Sequence, residues 1–229
     1  MTVEKLIKKY NEKTVLNIDK LTLEEGKIYV ILGLNGSGKT TLIECISGLL
    51  SYDYGKIFYN NQEDVSLVRQ HIATCIQGNN LFSRTVLENI LCGLQYRKAS
   101  KEMIKERMDK YLGYFELQGM IGKNAKKLSG GEGAKVALLR TAILETELTF
   151  LDEPTASMDI ESTFQAEELI KSMAKGRRTV ILVTHDILQA KRIAEEVIFM
   201  DKGQIIERGL PEKVLNNPES EYLKKVFNL

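Results

Sequence analysis

Apolar and polar residues alternate over the first nineteen positions. Val3, Leu6 and Ile7 are followed by Val15, Leu16 and Ile18, on either side of Asn11-Glu12-Lys13. That pattern predicts two antiparallel strands joined by a turn. Residues 27–32 form a short apolar run suited to a buried strand, and residues 40–50 predict a helix. Short strands are expected at 56–59, after the Asp53-Tyr54-Gly55 turn, and at 72–76. From about 86 to 144 the period becomes helical. Met103, Ile104, Met108, Tyr111, Leu112 and Phe115 fall on one stripe that reads as core packing. Strands at 148–151 and 179–183 then alternate with helices at 161–174 and 187–195. A hairpin of 197–200 and 204–207 turns at Asp201-Lys202-Gly203, and a short helical tail follows.

Strands alternating with helices imply a mostly parallel sheet that binds ligands at the carboxyl ends of its strands. The expected architecture is α/β: a core with an N-terminal antiparallel β subdomain and an inserted helical subdomain. The chain reads as one domain, with its core at about 1–82 and 145–229 and the helical part at about 83–144. Its 229 residues suffice for one large domain with a real core. No apolar run approaches the roughly 18 residues of a spanning helix, and no signal-peptide pattern opens the chain. A net charge of +1 gives no reason to expect nucleic acid as a partner. The three cysteines, Cys45, Cys75 and Cys92, match no metal spacing and suit a reducing compartment.

Two strings carry chemistry. In Gly33-Leu34-Asn35-Gly36-Ser37-Gly38-Lys39-Thr40, glycines let the backbone turn tightly, so that successive N–H groups face a phosphate at a helix N-terminus. Lys39 supplies a charge for β- and γ-phosphates, and Thr40 a hydroxyl for Mg²⁺. Downstream, Leu128-Ser129-Gly130-Gly131-Glu132 is a Ser/Gly-rich turn that opens a helix and suits a phosphate from the other side.

The apolar strand ending at Leu151 delivers Asp152-Glu153-Pro154 to its tip. Strand alternation is expected to send the two carboxylates to opposite sides. Asp152 would then serve the metal, and Glu153 would orient or deprotonate the attacking water. His185 follows another strand end, where it suits a γ-phosphate. Gln77 follows the strand at 72–76, within reach of both metal and water.

Taken in order, these residues resemble the ATP-binding subunit of an ABC transporter, over nearly the whole chain. Residues 33–40 match the Walker A loop of the P-loop NTPase fold, and Leu148 to Glu153 the Walker B strand. Ser129 lies in the signature, Gln77 matches the Q-loop, His185 the switch histidine, and Ala156-Ser157-Met158-Asp159 the D-loop. Tyr10 falls where the family stacks an aromatic ring on adenine.

The resemblance implies the cofactors ATP and Mg²⁺. Asn35, Gly36, Ser37, Gly38, Lys39, Thr40, Thr41 and Tyr10 would bind nucleotide in one copy. Ser129, Gly130, Gly131, Glu132 and Asp159 would serve the site from a second, head-to-tail copy. Thr40, Gln77 and Asp152 would hold the metal. Glu153, His185 and Gln77 would be the catalytic set. The implied partners are integral membrane permease subunits, a second ATPase copy and an extracytoplasmic substrate-binding protein, with the chain at the cytoplasmic membrane face. The helical part beside Gln77 would dock on the permease.

The signature departs from the family by ending in Glu132, a charge near the site, followed by Gly133-Ala134-Lys135. The D-loop reads Ala-Ser-Met-Asp where Ser-Ala-Leu-Asp is usual. Ser83 to Ile90, with Gly93-Leu94, is similar to importer ATPases, and the stretch from Thr184 to Arg192 hints at oxyanion importers for tungstate or molybdate. Two other classes stay open at this point. One is a soluble ABC ATPase of iron–sulfur assembly or repair, although only about fifty residues separate Gln77 from Ser129, without sustained heptads. The other is a non-catalytic nucleotide-binding module, against which Glu153 and His185 both argue.

Overall fold

The computed structural model describes residues 1–63, 65–78 and 80–227. Strands β1 (Thr2–Tyr10) and β2 (Lys13–Thr22) form the expected antiparallel pair, and β4 (Tyr54–Phe58) joins the free edge of β1. The uneven spacing of Val3 and Leu6 has a local cause. Lys5 adopts a φ of 49°, and the β1–β4 register shifts between Glu4 and Ile7. That bulge returns Leu6 to the face of Val3, and both are fully buried.

The main sheet has the order β5-β6-β7-β3-β8-β9. Its strands are β3 (Ile28–Gly33), β5 (Ile72–Cys75), β6 (Leu148–Asp152), β7 (Thr179–Val183), β8 (Glu196–Asp201) and β9 (Gln204–Gly209). Every pairing is parallel except the closing β8–β9 hairpin. Asp152 and Ile31 both pair with Val183, and Gly33 pairs with Met200. One edge of the sheet therefore gathers the chain segments that leave β6, β7 and β3.

Alternation along β3 divides the core in two. Tyr29 and Ile31 join Phe150, Ile181 and Ile198 against the small sheet and α1 (Lys39–Ile46). Val30 and Leu32 face the other way, toward the helices. Those are α3 (Val86–Tyr96), α4 (Lys101–Tyr111), α5 (Gly130–Ala142), α6 (Ile160–Met173), α7 (Ile187–Ile193), α8 (Pro211–Asn216) and α9 (Glu221–Phe227), with the short α2 (Val65–Val68) before β5. Helices α3 to α5 lie between β5 and β6 in the chain. Their buried residues, among them Ile90, Tyr111, Phe115 and Val136, are continuous with the sheet's core.

Three of the expectations for the helices need correction. Helix α1 stops at Ile46 instead of continuing to residue 50. Gly48, at φ 73°, turns the chain and donates its N–H to the Cys45 carbonyl. The helical stretch 86–144 is interrupted at 112–129 by short 3₁₀ turns. In its apolar stripe, Tyr111 and Phe115 are buried but Met103 is 43% exposed.

Where α5 leads back into the sheet, Glu145 gathers four partners. Its carboxylate accepts from the Tyr111 hydroxyl at 2.7 Å and pairs with Arg107 at 2.9 Å, Arg178 at 3.5 Å and Lys110. Among the described residues, no helix is long and apolar enough to cross a membrane.

Candidate nucleotide site

The glycine-rich loop leaves β3 at Gly33 and enters α1 at Lys39. Gly36 and Gly38, at φ 77° and 97°, occupy the left-handed region that the tight turn requires. The loop is held from outside as well. The Gly203 N–H donates to the Ser37 carbonyl at 2.9 Å, while the Gly203 carbonyl accepts the Asn17 N–H at 2.8 Å. The β8–β9 turn is thus wedged between β2 and the loop.

Lys39 is only 8% exposed and curls over the loop, donating to the carbonyls of Gly33 at 2.9 Å and Leu34 at 3.1 Å. Burial pushes its ammonium below the ordinary lysine range, against the pull of Glu153 and Asp152. Among the described residues, buried Ser37 Oγ has no hydrogen-bond partner. Asn35, Gly36 and Thr40 are exposed, and Thr41 is half-buried.

Asp152 ends β6, almost fully buried, and its Oδ1 also lacks a partner among the described residues. Burial raises its carboxyl above the usual range, opposed by a hydrogen bond from Thr40. Buried polar atoms are normally paired. Two orphan oxygens, beside a lysine and a helix N-terminus, fit a phosphate with its counter-cation.

Glu153 is not placed by strand alternation. It has left the strand, with φ 48° and its N–H on the Val183 carbonyl at 2.9 Å. That turn carries its side chain to His185, whose Nδ1 lies 2.9 Å from Oε1 and 3.0 Å from Oε2. An ionised carboxylate only accepts, so Nδ1 is the donor. Gln77 is exposed, two residues beyond β5, and shares with Cys75, Asp152, Glu153, Ala134 and Ser157 a cleft of about 280 Å³. The structure therefore brings Gln77 and both carboxylates to one cavity, and His185 reaches one of those carboxylates, Glu153.

Ser129 caps α5. Its Oγ accepts the Glu132 N–H at 3.3 Å, and the Glu132 carboxylate accepts the Ser129 N–H at 2.7 Å. This reciprocal box explains the departure at the end of the signature. The extra charge sits on the positive end of its own helix, where the Ser129 N–H holds the Glu132 carboxyl below its usual range. Gly131 has a steric reason: a Cβ there would lie 2.8 Å from the Ser157 carbonyl oxygen. The signature helix and the D-loop segment of the same chain are thus in contact.

Asp159 accepts the Ser162 N–H at 2.7 Å and caps α6, a local task that its expected place in the site does not include. Tyr10 ends β1 with 48% of its surface exposed, and the Lys8 ammonium lies 5.3 Å from its ring centroid. Sequence reasoning passed over Asn89. This fully buried side chain accepts the Phe82 N–H at 2.8 Å and donates to the carbonyls of Phe82, at 3.1 Å, and Thr85, at 2.9 Å. It fixes residues 82–85, just before α3. An asparagine at an inward helical position was the available signal.

A family model described as ABC transporter matches residues 16–156. The chain belongs to the ABC transporter family. It is 32% identical over 240 residues to the L-cystine import ATP-binding protein TcyC of Bacillus subtilis (strain 168), covering 100% of this chain and 97% of that one. It is 36% identical over 208 residues to the tungstate uptake system ATP-binding protein TupC of Peptoclostridium acidaminophilum, covering 90% and 97%. A dimeric ATP-binding cassette, solved in a post-hydrolysis state bound to ADP and Pi, superposes with a TM-score of 0.83 at 26% identity, covering 92% of this chain and 99% of that one. This ABC chain is an ATP-binding and ATP-hydrolysing cassette. These relatives give no support to an iron–sulfur assembly role.

Proposed function

We propose that this cassette powers solute import, bound to permease subunits at the cytoplasmic face of a membrane and served by an extracytoplasmic substrate-binding protein. The observation that carries the hydrolytic part is the conjunction at one sheet edge of Lys39, the orphan oxygens of Ser37 and Asp152, and the Glu153–His185 pair. Import is favoured by relatives named for cystine import and tungstate uptake, beside one named for glutamine transport. Their differing solutes support the view that the transported molecule is chosen by other subunits.

Lys39 and the N–H groups of residues 36–41 bind the β- and γ-phosphates, and Tyr10 offers its free ring face to adenine. Thr40, Asp152 and Gln77 would hold Mg²⁺, which neutralises phosphate charge when bound. Glu153 orients the attacking water and accepts its proton. His185 contacts the γ-phosphate. Ser129, Gly130 and Gly131 present the N-terminus of α5 to the nucleotide of a second copy, and Asp159 lies at the same interface.

Residues 83–144 form the lobe that docks on the permease, beside Gln77. Phe82, 53% exposed under the Arg140 guanidinium, offers an apolar contact there. Phosphate release by the purified chain with MgATP, lost in Glu153→Gln, tests the hydrolytic reading. Co-purification with integral membrane proteins tests the transport reading, and recovery with soluble factors alone would overturn it.

A further inference from the structure

Gln189 is fully buried on α7, the helix that begins two residues beyond His185. Its amide Nε2 lies 3.1 Å from Thr155 Oγ1 and 3.4 Å from Glu167 Oε1. The Thr155 hydroxyl in turn lies 3.4 Å from the Gln189 Oε1. Thr155 and Glu167 are themselves 8% and 2% exposed. Arg192, one turn further along α7, closes the set by a two-point grip on Glu167, at 2.8 and 2.6 Å. A buried amide with its donors and acceptors filled holds its neighbours in one arrangement.

The positions of those neighbours give the network its meaning. Thr155 lies two residues beyond Glu153 and immediately before the 156–159 loop. Its carbonyl accepts the Met158 N–H at 3.0 Å, so it sets the turn of that loop. Glu167 lies on α6, into which the loop runs through the Asp159 cap. One side chain therefore ties Thr155, where the loop that touches Gly131 begins, to α6, into which that loop runs, and links both to the helix that starts two residues after His185.

We infer that Gln189 is a positioning residue for ATP hydrolysis: its amide fixes the 156–159 loop, and with it Glu153, relative to His185. This rests on the hydrolytic reading above. Displacing a reacting group by a fraction of an ångström lowers turnover without changing how the phosphates are first bound.

The test measures kcat, KM for MgATP, nucleotide affinity and thermal midpoint on the full-length chain. The set comprises wild type, Glu153→Gln, Gln189→Leu, Thr155→Val, Thr155→Ser and the Gln189→Leu/Thr155→Val double variant. Gln189→Leu and Thr155→Val are expected to lose about tenfold in kcat, with KM and affinity within about twofold. The double variant is expected to lose no more than either single one, because both cut the same link. Thr155→Ser, which keeps the hydroxyl, is expected to hold near wild-type turnover. Wild-type turnover abolished in Glu153→Gln establishes the reading beneath the inference, and without it the inference falls too. With that established, an unchanged kcat in Gln189→Leu and Thr155→Val overturns the inference, even if their melting points drop. If Gln189→Leu does not fold, Thr155→Val decides alone.

Discussion

His185 Nδ1 lies within hydrogen-bond distance of both carboxylate oxygens of Glu153, at 2.9 and 3.0 Å. The two residues are 32 positions apart in the chain, and the β6–β7 pairing brings them together. The Glu153 side chain is 12% exposed and that of His185 68%. The proposed base is thus sheltered, and its partner lies at the surface. Replacing Glu153 by Gln keeps the shape and removes the proton acceptor. Turnover should fall on the order of 10²–10⁴-fold, while ATP still binds and holds two copies together. Phosphate release and size-exclusion chromatography with ATP check both halves. A variant that releases phosphate at the normal rate would remove Glu153 from its role.

Lys39→Ala should act earlier, on binding. Among the described residues the ammonium donates to the carbonyls of Gly33 and Leu34, and burial makes its charge costly there. An incoming triphosphate supplies the counter-charge. Titration with a fluorescent ATP analogue should show affinity reduced by at least about tenfold; unaltered affinity would contradict this assignment.

Gly131→Ala places a methyl group 2.8 Å from the Ser157 carbonyl oxygen. Since that neighbour is backbone, the helix or the loop must shift. A destabilisation of about 1–3 kcal/mol is expected, read by calorimetry as about 2–4 °C of melting point per kcal/mol. An undisturbed melting temperature would show that the seam has slack.

Glu145→Gln should loosen the return from α5 to the sheet. Burial disfavours the Glu145 charge, but hydrogen bonds from Lys110 and Tyr111, with the charges of Arg107 and Lys110, outweigh it and hold the carboxyl below its usual range. A depressed carboxyl stabilises the fold above the unfolded-state value, and that contribution is lost as pH falls through the folded value. The variant should therefore be less stable by about 2 kcal/mol at pH 7. That is under the ~3–5 kcal/mol of a fully buried pair, as the side chain stays 18% exposed. The difference should shrink toward pH 3. Urea midpoints at both values check it, and a gap independent of pH would point away from charge.

Thiol chemistry offers an independent check of the core. Burial pushes the Cys45 thiol up to about 11 and also raises Cys75, whereas Cys92 is half-buried. At pH 8 the native protein should react with a thiol reagent at Cys92 alone, and at all three positions in guanidinium. Rapid native labelling of Cys45 would place it outside the core described here.

What could be read from the chain was whatever local pattern dictates. The apolar run before Gly33, the glycine spacing to Lys39 and the Ser129–Glu132 interval each encode their geometry within a few residues. Glu153 was legible as a residue but not as a geometry. Its positive φ depends on a hydrogen bond to Val183, thirty residues away in the chain. Gln189 and Asn89 escaped for the same reason. A buried amide looks like a surface amide until its partners, drawn from distant segments, are in place. Lys5 shows the converse: one bulge turned an irregular spacing into a regular inner face.

The wedge at Gly203 bears on how the molecule is made. The carbonyl of Ser37 and the N–H of Asn17 both wait for a residue synthesised long after them. A chain still on the ribosome, with its first half emerged, lacks the Gly203 hydrogen bonds that hold the glycine-rich loop from outside. Both ties to the glycine-rich loop and β2 are therefore made only once the β8–β9 hairpin has been synthesised.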